Sequence, residues 1–254
     1  MGHHNIKFSG DPHALHGAWS PPTSRANFCE EDYSITHYLA EFINTLTNLT
    51  YVYYALHAIS SRKKTDFMSL SLLILGICSS LFHATLLLPL EFSDELSMLS
   101  LAWSLLQGSL TINHDSNFIN VFLSIFFLSF AGFYVWSAKI IYHSIVFMSI
   151  LGVLVLRTIW LIYGRNPGFP TQKRNDWTKR ALQVNGILVL AFVLWHIDLE
   201  FCAELRALRD SVGLPWAWVF ELHGWWHIFT GMGAAWYMDI VREMKDEARK
   251  QKEE

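Results

Sequence analysis

Seven apolar runs, each about 20 residues long, leave this chain few ways to fold. They lie at 35–59, 65–87, 91–112, 118–138, 141–163, 181–201 and 218–241. A helix rises about 1.5 Å per residue, so a run of that length crosses the roughly 30 Å of hydrocarbon in a bilayer. The connections are too short to hold a soluble domain. The expected fold is an all-α membrane protein, a seven-transmembrane helix bundle over 35–241, with a polar segment at 1–34 before it and a charged tail at 242–254 after it. Only 16% of the residues are charged, against about a quarter in an ordinary soluble domain. The net charge of −3 offers no basic footprint for nucleic acid.

The first 34 residues contain no apolar core of the kind a cleavable signal needs, so the first span is expected to insert the chain itself. Lys and Arg set the direction, since they gather on the cytosolic side. With the N-terminus outside, or lumenal, thirteen fall inside and five outside (Lys7, Arg25, Lys139, Arg206 and Arg209), with Arg157 inside a helix. That asymmetry places the C-terminus in the cytosol.

The last span contains His223-Gly224-Trp225-Trp226-His227. Histidines four apart share a helix face, about 6 Å apart along the axis. Ionisable groups are expensive within a membrane, which suits a pair of metal ligands; bonding to headgroups, water or a neighbouring helix is the other reading. The second span closes on Ser79 and His83, also four apart, and across a short hairpin at Pro89 the third opens with Glu91-Phe92-Ser93-Asp94-Glu95. The topology carries His83, Asp94, His223 and His227 to one depth in the outer leaflet. Three imidazoles with an open fourth position describe a catalytic zinc site, where zinc lowers the pKa of bound water to about 7. Asp94 is placed to take or orient that water's proton and Ser79 to donate to an oxyanion, so metal-assisted hydrolysis of a lipid carbonyl is the expected chemistry.

The segment Asn27-Phe28-Cys29-Glu30-Glu31-Asp32 and Glu41, about two turns inside the first apolar run, gather oxygen donors. Calcium takes six to eight such ligands. An acidic cap on the first helix is the alternative, though it does not account for a carboxylate as deep as Glu41. Cys29 and Cys202 both fall on the outer side, an oxidising compartment that favours a bond over two free thiols. The basic connection at 165–180 suits anionic headgroups. The end of the tail, Lys250-Gln251-Lys252-Glu253-Glu254, fits a lysine-x-lysine-x-x retrieval pattern for the endoplasmic reticulum.

Taken together, Asn27 to Ser34, Ala40-Glu41-Phe42, Asn44-Thr45, Ser79 and His83, Asp94-Glu95-Leu96 and His223-xxx-His227 resemble the alkaline ceramidases, within a wider superfamily of seven-helix hydrolases that includes the adiponectin receptors. The resemblance implies hydrolysis of a ceramide drawn from the bilayer, phytoceramide and dihydroceramide included, to a sphingoid base and a fatty acid in endoplasmic reticulum or Golgi membranes, with no obligatory protein partner. It assigns zinc to His83, His223 and His227 and catalysis to Ser79 and Asp94. It assigns calcium to Asn27, Phe28 through its backbone carbonyl, Glu30, Asp32 and Glu41, and a disulfide to Cys29 and Cys202. Relatives are expected to carry aspartate at position 27, tryptophan at 28 and asparagine at 32; the carboxylate count is kept, and the Phe28 ring is expected to matter little. An adiponectin-receptor-like receptor with a retained zinc site, or a hydrolase of another lipid amide, is the second reading, but the receptor group has the opposite orientation. A scaffold would leave the histidines unexplained, and no His-Glu-x-x-His motif points to a peptidase.

Overall fold

A computed structural model describes residues 11–113 and 116–253. Lys7 and Glu254, counted above in the charge bias and the retrieval pattern, lie outside the described residues, as does the start of the 1–34 segment. Among the described residues the chain is all-helical and has no β-strand beyond a single bridge between Thr36 and Leu39. The helices are α1 (Phe42–Thr47), α2 (Leu49–Arg62), α3 (Phe67–Thr85), α4 (Leu88–Leu110), α5 (Asn117–Ser137), α6 (Ile140–Ile159), α7 (Thr171–Glu200), α8 (Cys202–Val212) and α9 (Leu222–Glu253). A π turn at Trp160–Gly164 extends α6, and a 3₁₀ turn at Trp216–Phe220 precedes α9.

Four of these are long and apolar enough to cross a membrane: α3, α5, α6 with its π turn, and α7. Their outward faces expose Phe118, Phe122, Leu128, Leu156 and Val189. Contiguous apolar surface on that scale fits lipid and not water. The remaining long helices, α4 and α9, bear carboxylates and histidines on their inner faces, which lowers their hydropathy without shortening them. α9 packs along α7 and α2, and α4 lies between α3 and the α5–α6 hairpin. The core between them is built on Leu72, Leu105, Trp177, Met238 and Ile240.

Three expectations need correction. The run at 35–59 is not one helix. Residues 35–41 are extended or bent, because the Ala40 and Glu41 N–H groups bond to the carbonyls of Ala84 and His83 at the end of α3 (both 3.0 Å) and the Ala40 carbonyl accepts Tyr33 N–H. Glu41 is therefore the N-cap of α1 and not two turns inside a helix. The hairpin turns at Leu86 and Leu87 and not at Pro89, which sits in the first turn of α4, where its missing N–H costs nothing. The connection at 165–180 is largely helix, since α7 begins at Thr171, and its charges are partly spent within the protein, with Arg180 reaching Glu243 at 2.8 Å. Arg157, the unusual charge within a span, donates to the Ser109 carbonyl and stacks on Trp160.

Candidate active site

One end of the bundle, where α3 meets α4, is closed by the N-terminal segment. Leu86 adopts the left-handed conformation that ends α3, and its carbonyl accepts the Thr23 and Ser24 N–H groups. The Glu91 carboxylate, on the first turn of α4, accepts the Arg25 and Ala26 N–H groups. The Cys29–Cys202 disulfide ties the segment to α8. From α8, Arg206 and Arg209 both donate to the Cys29 carbonyl, at 2.9 and 2.8 Å, and Arg209 also pairs with Glu221. The sequence reading missed α8 because eleven residues of mixed charge sit inside a connection; Leu205 and Arg209, four apart on the buried face, are the signal it carried.

Under this cover α3 brings His83, and α9 brings His223 and His227, to one point. One ring nitrogen from each lies within 4.8 Å of the others, and all three side chains are buried. His83 Nδ1 lies 2.5 Å from Glu41 Oε2, and His227 Nδ1 lies 3.0 Å from Thr47 Oγ1. Each of those two rings thus has one nitrogen engaged by the chain and Nε2 left to bind elsewhere, the arrangement seen in metal-binding histidines. Gly224 permits the approach of α1 and α9: a Cβ there would stand 3.1 Å from Ile43 and 3.2 Å from Thr47.

Ser79 lies one turn before His83, and its hydroxyl bonds to the Asp94 carboxylate of α4. Both are buried, and Asp94 Oδ1 has no hydrogen-bond partner among the described residues. On the far side, Tyr51 donates to Thr230 Oγ1 at 2.6 Å, because the Thr230 hydroxyl itself donates to the Trp226 carbonyl.

The oxygen donors of the N-terminal segment are buried too. Glu30 accepts the Ile43 and Asn44 N–H groups at 2.6 and 2.8 Å and so caps α1 from outside the helix. Burial, then the neighbouring Glu41 charge, pushes the Glu30 carboxyl up. Asp32 is pushed up to about 8, first by burial and then by the charges of Glu41 and Asp11. Both Asp32 carboxylate oxygens and Asn27 Nδ2 are buried without a partner among the described residues. Glu30, Asp32 and Glu41 do not close into a second cluster like the histidines. The Phe28 ring does more than was expected of it: it lies 3.9 Å from the His223 ring and 5.1 Å from that of His83, roofing both.

The chain matches the ceramidase family over residues 20–254. It is 32% identical over 252 residues to the alkaline ceramidase YPC1 of Saccharomyces cerevisiae, covering 90% of this chain and 79% of that protein. It is 30% identical over 238 residues to alkaline ceramidase 3 of Mus musculus, covering 89% and 84%. An alkaline ceramidase of Arabidopsis thaliana is 27% identical over 225 residues. With its cluster of buried histidines and a match across nearly its whole length, the chain belongs to the ceramidase family.

Proposed function

We propose that this chain is a zinc-dependent, calcium-stabilised ceramidase of endoplasmic reticulum or Golgi membranes, with seven spans and its N-terminus in the lumen. As a member of its family it is a hydrolase acting on the amide bond of ceramide. One observation carries the finer reading: His83, His223 and His227 converge beside a bonded Ser79–Asp94 pair. Three neutral nitrogen donors, two of them oriented through Nδ1, fit zinc and leave a coordination position open. When bound there, zinc supplies Lewis acidity, which makes water nucleophilic near neutral pH.

The chain's own groups do the rest. Asp94 Oδ1 accepts the proton of the attacking water and returns it to the amide nitrogen as the C–N bond breaks, which releases a neutral amine. The Ser79 hydroxyl, donated to Asp94 at rest, turns to the carbonyl oxygen as negative charge develops there. Phe28 and the cover around it exclude bulk water from the histidines. For calcium, Asn27, the Phe28 carbonyl, Glu30, Asp32 and Glu41 provide buried oxygen donors with an excess of carboxylate that a divalent cation would balance. Residues 1–34 would then form the lumenal cover, 35–241 the hydrolase bundle and 242–254 the cytosolic tail. Phytoceramide and dihydroceramide are the substrates to test beside unsaturated ceramide.

The test is fatty-acid release from a ceramide panel by purified protein in detergent, for wild type and His223→Ala, with zinc assayed in parallel. Zinc near one per chain, with both zinc and turnover lost in the variant, is the expected result. Undiminished turnover in the metal-free variant would remove zinc from the reaction.

A further inference from the structure

Asp198 stands on the last turn of α7 and is fully buried, yet none of the roles above uses it. A carboxylate so placed must be matched by donors. Its Oδ2 accepts the backbone N–H of Cys29 at 3.3 Å and its Oδ1 that of His223 at 3.2 Å. The Leu222 N–H bonds to the same carboxylate. Leu222 and His223 open α9, and the N–H groups of a first turn have no partner inside their own helix. The nearest acid in sequence, Glu221, is held by Arg209 at 3.1 Å. The cap of α9 therefore comes from α7, and its negative charge suits the helix N-terminus.

We propose that Asp198 is a positioning residue for the histidine cluster: one carboxylate fixes the first turn of α9, and with it His223, and ties that turn to Cys29 in the oxygen-rich loop. Glu41 orients His83 and Thr47 orients His227 through their rings. Asp198 reaches His223 through its backbone, so each histidine has its own anchor. The same carboxylate couples the loop at Asn27 to Asp32 with the start of α9, because Cys29 lies between Phe28 and Glu30. This inference rests on the reading of the cluster as a zinc site.

The experiment compares zinc affinity, by chelator competition, and the absorption of the cobalt(II)-substituted protein, in full-length wild type, Asp198→Asn and Asp66→Asn. Asp66 is a control of similar kind at the opposite end of α3, where it caps that helix and pairs with Arg242. Asp198→Asn keeps one acceptor oxygen. It is expected to bind zinc about 10-fold or more weakly, the effect of losing an outer partner of a metal ligand, and to shift the cobalt bands. Asp66→Asn is expected to lower the melting temperature and leave both metal readouts at wild type. Should Asp198→Asn not fold, Leu222→Pro removes one donor with the carboxylate untouched, at a helix position that accepts proline. It is expected to weaken zinc about threefold, as the loss of one hydrogen bond would. Wild-type zinc affinity and cobalt spectrum in a folded Asp198→Asn, or unchanged affinity in Leu222→Pro where that variant stands in, would overturn the inference. A wild-type chain that binds no zinc would instead overturn the reading beneath it.

Discussion

Glu41 Oε2 lies 2.5 Å from His83 Nδ1, and neither side chain reaches solvent. The Glu41 charge also acts on Glu30 and Asp32, so one carboxylate stands between the oxygen-rich loop and the histidine cluster. Glu41→Gln retains the shape and loses the charge. It is expected to weaken zinc binding about 10- to 100-fold, measured by chelator competition.

Asp94→Asn removes the proposed proton acceptor while leaving the three histidines and their partners in place. Turnover is expected to fall roughly 10²- to 10⁴-fold, with zinc content unchanged. Fatty-acid release and metal analysis on the same preparation check both halves.

The pH dependence of stability follows from Asp32, whose carboxyl burial lifts from 3.8 to about 8. Between those values the folded chain holds a proton that the unfolded chain has released. Without calcium, stability is therefore fully present at acid pH and declines as pH rises towards about 8. Calcium, competing with that proton, is expected to restore more of the melting temperature at pH 9 than at pH 6. Asp32→Asn should flatten the calcium-free profile in a thermal-shift series.

Gly224→Ala places a methyl group against Ile43 and Thr47. The overpacking is expected to cost about 1–3 kcal/mol and to disturb the bond between Thr47 and His227. A lower melting temperature together with weaker zinc retention is the expected outcome, where an ordinary exposed helical Gly→Ala change would stabilise.

The helical character of the chain and the meeting of His83, His223 and His227 were legible because both follow from periodicity and hairpin topology. The break at Asn48 and the non-helical stretch at 35–41 were not. They depend on bonds from Ala40 and Glu41 to the end of α3, some forty residues away, and hydropathy does not register such pairings. The start of α7 at Thr171 was hidden for a related reason: hydropathy marks where the apolar part of a helix begins, not where its first turn begins. Asp198 was visible only as an acid at the end of an apolar run. The donors that give it a purpose are backbone groups of Cys29, Leu222 and His223, and no residue pattern announces those.

The disulfide joins positions 173 residues apart, and His83 meets its two partners only when α9 is in place. At about 5 to 20 residues per second, ribosomal synthesis separates Cys29 from Cys202 by roughly 10 to 35 seconds. Through that interval the acidic loop has neither its covalent tether nor the arginines of α8 to close over it. The histidine cluster is thus a late event in the life of the chain: a polypeptide stopped short of α9 would contain Glu41, Ser79, His83 and Asp94 and still lack two of the three histidines.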